Sequence, residues 1–156
     1  MADLTQNGSL RFWNGNRNIE QITADTTAAF AGFKGAPLVI DQNVDTLNVI
    51  VAASGVTLVD DDVFVGICAA KYAYALGDTE SDAKVEYYGD GSIVGFNQTQ
   101  FGSSFTNADM GKTIYMSDSG TLTSTRGSNC PIGKLHRVED GYAYVQIVAP
   151  AVIDVA

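Results

Sequence analysis

Ile132-Gly133-Lys134-Leu135-His136-Arg137-Val138-Glu139-Asp140-Gly141-Tyr142-Ala143-Tyr144-Val145-Gln146-Ile147-Val148 is the stretch from which the rest of the chain is read. Apolar and polar residues alternate on both sides of Glu139-Asp140-Gly141. Two antiparallel strands joined by a tight turn are therefore predicted, with Asp-Gly supplying the left-handed backbone that a short hairpin connection needs. In the second strand Ala143, Val145 and Ile147 fall on one face and Tyr142, Tyr144 and Gln146 on the other, because strand side chains alternate. In the first strand His136 alternates with Lys134 and Val138, which places it on an exposed face.

The same grammar extends upstream. Thr113-Ile114-Tyr115-Met116 turns at Asp118-Ser119-Gly120 into Thr121-Leu122-Thr123-Ser124-Thr125, and Asn107-Ala108-Asp109-Met110 reads as a single helical turn. Val85-Glu86-Tyr87-Tyr88 and Ile93-Val94-Gly95-Phe96 flank Gly89-Asp90-Gly91-Ser92, which predicts another hairpin. Val63 to Leu76 is the longest run, with Val63, Val65, Ile67 and Ala69 on one face and Phe64, Cys68, Tyr72 and Tyr74 on the other. Both faces are apolar, as in a central strand covered on both sides, and Gly77 to Asp82 closes the run as a polar loop. Leu38-Val39-Ile40, Leu47 to Val51 and Val56-Thr57-Leu58-Val59 are further short strands, bounded by Asp41-Gln42-Asn43 and Ala53-Ser54-Gly55.

Short strands with turns roughly every eight to twelve residues predict an all-β fold, a small sandwich or barrel of antiparallel strands. Composition agrees: the 156 residues include 15 Val, 10 Ile, 13 Thr and 16 Gly against 8 Leu, 4 Glu and 3 Pro. The β core is expected over residues 37–156. Residues 1–36 differ, with no sustained period. Arg11-Phe12-Trp13-Asn14-Gly15-Asn16-Arg17-Asn18 is polar and aromatic, and Thr26 to Pro37 ends in glycine and proline breaks. This segment reads as an extended N-terminal arm or, equally, as an edge hairpin of the same domain.

A hydrophobic content of 46% with 17% charged residues argues against global disorder. No apolar run of about 18 residues is present, so no membrane-spanning helix is expected. Eighteen acids against nine bases give a net charge of −9. That balance argues against a nucleic-acid partner, which requires a cationic field, and against an anionic bilayer. Met1 to Gly8 carries no secretory signal, and the Asn7 and Asn97 sequons read as chance matches. Cys68 and Cys130 stand in apolar settings and are expected as buried reduced thiols, although the sequence leaves a pairing between them open.

Chemistry is sparse. The only histidine, His136, has no nucleophile motif to serve, since no G-x-S-x-G turn exists. One His and two distant Cys cannot make a structural zinc site. Asp60-Asp61-Asp62 points its carboxylates in alternating directions on extended chain, so a solvated turn is expected rather than a calcium site. Asn14 to Asn18 imitates a calcium-loop spacing but lacks its charge, and Ile19 stands where glycine is needed. Gly89-Asp90-Gly91-Ser92-Ile93-Val94-Gly95 has its third glycine one residue late for a dinucleotide fingerprint. With four Glu, none in an apolar setting, a glycosidase pair is disfavoured. Tyr72, Tyr74, Tyr87, Tyr88, Tyr142 and Tyr144 are either core and cross-strand pairs or a sugar-stacking face. The expectation is a protein without catalytic residues, metal or cofactor.

Asp109-Met110-Gly111-Lys112-Thr113-Ile114-Tyr115-Met116-Ser117-Asp118-Ser119-Gly120-Thr121-Leu122-Thr123, then Asn129-Cys130-Pro131-Ile132-Gly133-Lys134-Leu135, then Asp140-Gly141-Tyr142-Ala143-Tyr144-Val145-Gln146-Ile147, resembles the capsid cement (head decoration) proteins of tailed bacteriophages. In this pattern Gly111 and Gly120 supply turn backbone and Ile132-Gly133 allows a close strand approach. The resemblance implies a non-enzymatic virion protein, made in the host cytoplasm and added to the exterior of the expanded capsid. It would bind the major capsid protein, assemble as a homotrimer and brace the shell against the pressure of packaged DNA, with no direct nucleic-acid or membrane contact. On that reading Arg11, Phe12, Trp13, Arg17, Phe30 and Phe33 are the expected subunit or capsid contacts, since Trp and Arg are enriched in interface hot spots. A second reading, a carbohydrate-binding β module of a phage fibre or lectin type, expects exposed tyrosines along a groove. A small hydrolase is the third.

Overall fold

The computed structural model describes residues 4, 6–23, 30–40, 49–51, 58, 61–74, 77, 84–118 and 120–154. Fourteen short strands run through them: β1 (Leu10–Phe12), β2 (Ile19–Thr23), β3 (Phe30–Gly32), β4 (Pro37–Ile40), β5 (Val49–Val51), β6 (Val63–Cys68), β7 (Tyr72–Tyr74), β8 (Lys84–Tyr88), β9 (Ile93–Asn97), β10 (Thr113–Asp118), β11 (Thr121–Thr123), β12 (Cys130–Glu139), β13 (Tyr142–Ile147) and β14 (Ala151–Val152). One sheet has the order β1-β9-β13-β12-β10-β11; the other has the order β2-β8-β6-β4-β5 with β14 added along β6, and β3 pairs β7 apart from both. All the pairings are antiparallel. The fold is therefore an open all-β sandwich, as the alternation predicts. The strand read over Val56 to Val59, apart from Leu58, and the loop read over residues 78–82 lie outside the described residues.

The core is the space between the two large sheets. Val39, Phe64, Ile67 and Tyr88 from the second sheet meet Val94, Phe96, Leu135, Val145 and Ile147 from the first, and Phe101 stacks edge-on against Phe96 at 4.9 Å. Phe64, Phe96 and Phe101 are fully buried, each contributing about 1.5–3 kcal/mol from the area removed from water. A second apolar cluster, with Leu38, Val65, Cys68 and Val85, lies on the far face of the second sheet. β6 is thus buried on both faces, as read from its sequence.

The hairpin predicted from Glu139-Asp140-Gly141 joins β12 to β13. Glu139 pairs with Tyr142 across a two-residue turn whose Asp140 (φ 53°) and Gly141 (φ 78°) are both left-handed. The β10–β11 hairpin and the helical turn at Asn107–Asp109 also form, the latter held by a capping box with Thr106. At Gly133 an added Cβ would collide with the Gln146 carbonyl, so the close strand approach there requires glycine.

Three expectations are corrected. First, Gly89-Asp90-Gly91-Ser92 does not close a hairpin: β8 lies in the second sheet and β9 in the first. Turn residues specify a local reversal and not the partner of the strands they join, and here both strands are apolar toward the same core from opposite sheets. Secondly, the faces of β6 are Phe64 and Ile67 inward, Val65 and Cys68 outward. Leu38 pairs with Gly66 and Val39 with Phe64, so Val65 is an extra residue, a β-bulge that interrupts the period of two. The strand stops at Cys68, and Tyr72–Tyr74 pairs with β3 instead of continuing it. Thirdly, the Asp60-Asp61-Asp62 turn is not wholly solvated. Asp62 is 3% exposed, and its carbonyl accepts from the Ile153 amide at 2.7 Å while the Asp61 amide donates to the Ile153 carbonyl at 2.9 Å; Asp60 lies outside the described residues. Of the two forms left open for the first 36 residues, those described take the edge-strand one: β1 borders β9 and β2 borders β8, through three and five register pairs.

Gly66 is required by the close approach of β8, since a Cβ there would sit 2.5 Å from both Tyr87 Cδ2 and the Tyr88 carbonyl oxygen. Gly66→Ala is expected to lower stability by about 1–3 kcal/mol by overpacking. In urea unfolding this reads as a reduced midpoint at unchanged slope; an unchanged midpoint would contradict the close approach of β8.

Candidate binding surface

The outer face of the first sheet carries the most unusual group of side chains. Register places Arg11 opposite Gly95, Gly95 opposite Tyr144, and Tyr144 opposite Arg137, a single row across β1, β9, β13 and β12. Gly95 leaves a hollow in that row, and the Tyr144 ring fills it: a Cβ on Gly95 would lie 2.7 Å from the ring. Trp13 follows β1 directly and swings over the face in a short 3-10 turn, helped by Asn14 and Gly15, which are both left-handed (φ 50° and 67°). Its ring stands edge-on to Tyr144 at 5.3 Å and to His136 at 5.6 Å. Ile93, Tyr142 and Tyr144 form a separate apolar cluster beneath Trp13.

Cations cover these rings. The Arg11 guanidinium lies 4.2 Å from the Tyr142 centroid and that of Arg137 5.0 Å from Trp13. Such stacking is worth about 0.5–1 kcal/mol at exposed sites. Lys134 shares the outer face two strand positions from the row, in register with Gln146. Arg11, Lys134 and Arg137 are exposed. The ion pairs among the described residues are Lys112–Asp109 and Arg126–Asp154, so neither Arg11 nor Arg137 is neutralised by one. The acids nearest in register are Glu139 and Asp140 at the hairpin tip.

Tyr142 also fixes the edge of the sheet. Its hydroxyl shares a 2.6 Å hydrogen bond with the Ser9 hydroxyl, and the Ser9 amide donates to Gln100 Oε1 at 2.6 Å. The bond with Ser9 above all, then one with Asn97, the nearby Arg11 charge and a hydrogen bond from Arg11, pulls the Tyr142 hydroxyl below the ordinary phenol value.

The six residues expected as contacts separate into three places. Arg11 and Trp13 belong to the outer face. Phe12 points the other way, packing against the main core edge-on to Tyr88 at 4.7 Å, and Arg17 lies 5.6 Å over its ring at the margin of the sandwich. Phe33 is half-buried with Lys71 5.4 Å over its ring; the backbone of Phe30 is in β3 and its side chain lies outside the described residues. Arg137 and His136 were not legible as partners of Trp13. His136 is the extra residue of a bulge, because Leu135 pairs with Val145 and Arg137 with Tyr144. The bulge puts Arg137 onto the face that strict alternation assigns to His136. The signal that could have found the surface was the shared face of Tyr142 and Tyr144.

Among the described residues no three His, Cys, Asp or Glu side chains could hold a metal ion, and no helix is long and apolar enough to cross a membrane. Tyr88, Tyr142 and Tyr144 are buried and Tyr87 half-buried, while the side chains of Tyr72 and Tyr74 lie outside the described residues. A notch of about 170 Å³ between Thr113, Pro131, Gly133, Lys134, Val148 and Ala151 is too small for a ligand of ordinary size. Compared with known proteins, the chain matches no family model, no curated protein and no solved structure.

Both cysteines are free and buried, Cys130 in the main core and Cys68 in the cluster beyond the second sheet. Burial pushes the Cys68 thiol up to about 12, and burial together with the Asp62 charge pushes Cys130 up as well. A thiol reagent is therefore expected to leave the native protein unlabelled and to label both cysteines in denaturant; labelling without denaturant would contradict the burial. The unfolded thiols ionise near 9.0 while the native ones keep their protons, so stability is full below that pH and falls as pH rises toward 12. Urea midpoints measured across that range should decline, and less steeply in Cys68→Ala.

Ser9→Ala is expected to raise the Tyr142 hydroxyl back toward its ordinary value, read as a shift of one tyrosinate step in an absorbance titration. A titration identical to that of the parent protein would show that the Ser9 bond does not form.

Proposed function

We propose that the protein is a non-catalytic β module that decorates the exterior of an expanded phage capsid, binding the major capsid protein and bracing the shell. The observation that carries this reading is the pair of exposed arginines, Arg11 and Arg137, flanking Trp13 over the buried Tyr144, on a sandwich whose net charge is otherwise strongly negative. A rigid aromatic anchor flanked by arginines is the composition of protein-contact hot spots. The resemblance over Asp109 to Ile147 supplies the class, and with it assembly as a homotrimer, location on the virion exterior after synthesis in the host cytoplasm, and freedom from cofactors, nucleic acid and membranes. The acidic remainder of the surface suits permanent contact with water. A sugar-stacking platform has less support, because Arg11 lies over Tyr142, Arg137 over Trp13, and Tyr144 is buried.

Removal of residues 1–36 takes away β1, β2 and β3 together with Leu10 and Phe12, which pack on the core, so truncation is expected to unfold the protein. Point substitution tests the surface cleanly. Purified protein mixed with expanded capsids that lack it should bind saturably at a fixed ratio to the capsid subunits. Trp13→Ala should weaken that binding by about tenfold or more, the loss typical of a central anchor. Absence of saturable binding by the parent protein would overturn the reading.

A further inference from the structure

We infer that the outer face of the first sheet recognises a carboxylate-rich segment of a protein partner. The Arg11 and Arg137 guanidinium groups lie over the Tyr142 and Trp13 rings, and Arg11 also hydrogen-bonds the Tyr142 hydroxyl. A guanidinium carries five N–H donors, so both retain donors for a carboxylate, which such a fork can take in two parallel hydrogen bonds. No ion pair among the described residues consumes either fork. Holding each arginine against a ring also removes much of the side-chain freedom that binding would otherwise have to quench.

The register places both arginines on one face, in one row on β1 and β12 three strand intervals apart. Their side chains lean over Tyr142 and Trp13, so both guanidinium groups border the aromatic cluster of Trp13, Tyr142 and Tyr144. Lys134 and His136 add donors on the same face.

Other polyanions fit less well. A nucleic acid extends its charge beyond any patch of this size and meets the field of a chain with net charge −9. An acidic polysaccharide would need open ring faces for its sugars, and those of Tyr142 and Trp13 are covered by guanidinium. A peptide carboxylate needs only the N–H donors that the two arginines retain.

The proposed capsid role is what makes the partner a protein subunit; the charge and geometry of the face are independent of it. Fluorescent hexaglutamate, with hexaglutamine and a galacturonate hexamer as controls, is titrated into the purified full-length protein. Saturable hexaglutamate binding is expected, stronger than that of either control and weakening as salt rises. Arg11→Gln and Arg137→Gln should each weaken it by about tenfold, the worth of one charge-assisted pair. Arg11→Lys should recover only part of the loss, because lysine keeps the charge without the fork. Both arginines are exposed, and unchanged urea midpoints would establish that the variants fold. Should either lose its fold, backbone NMR shifts of the parent protein on adding hexaglutamate decide the matter: changes centred on Arg11, Trp13, Arg137 and Tyr144 support the site, and changes elsewhere overturn it. No binding, equal binding by folded Arg→Gln variants, or tighter binding of the galacturonate hexamer each overturns it too. Capsid binding without hexaglutamate binding would end this inference alone, and the reverse result would end only the capsid reading.

Discussion

A bent two-stranded ribbon governs this molecule. Its ladder begins where Thr23 faces Lys84 in the second sheet and ends where Leu10 faces Phe96 in the first. Between those ends the corner stays paired: the Gly89 amide donates to the Asn18 carbonyl at 2.8 Å and the Ile93 amide to the Asn16 carbonyl at 3.0 Å. Ser92, fully buried, accepts from the Asn18 amide at 2.7 Å. The Gly91 amide donates to the Ile147 carbonyl at 3.0 Å, and the Ile147 amide returns a bond to Ser92 at 2.8 Å. Leaving the amides of the buried Gly89 and Ser92 at this corner unpaired would be destabilising, so these bonds are what let two chain segments pass side by side from one sheet to the other.

Because the ribbon bends as a pair, it separates neighbouring side chains between two environments. Phe12 and Tyr88 enter the core edge to edge, and Trp13, one residue later, is carried to the outside. The hollow at Gly95 then matters, since it lets Tyr144 lie flat enough for Trp13 to stand on it. The arginines settle over rings whose positions are already fixed by the sheet. The surface is thus set by the same hydrogen bonds that hold the sandwich together, and it needs no rearrangement to present its donors.

The all-β class, the β12–β13 and β10–β11 hairpins and the buried status of β6 were readable because they depend on local turn chemistry and a period of two. The corner at Gly89–Ser92 was not. Nothing in Val85–Tyr88 or Ile93–Phe96 says whether these strands face each other or face Ile19–Thr23 and Leu10–Phe12; that choice is made by burial of Tyr88, Val94 and Phe96 in one common core. The bulges at Val65 and His136 are likewise invisible to alternation, because each is an extra residue defined only against its partner strand. The candidate surface was half legible. Arg11 and Trp13 stood out by composition and Tyr142 and Tyr144 by their shared face, but only the ribbon brings the two pairs together, and only the His136 bulge adds Arg137.

The net charge of −9 acquires a direction from this arrangement. Three of the nine bases, Arg11, Lys134 and Arg137, project from one face of one sheet, so the other faces are more acidic than the total suggests. A molecule with that asymmetry approaches an acidic partner with its cationic face leading, since the remaining surface is repelled. Two copies meeting through their acidic faces repel each other for the same reason. Charge that first argues only against polyanionic partners therefore also selects an orientation, and the orientation it selects presents Trp13.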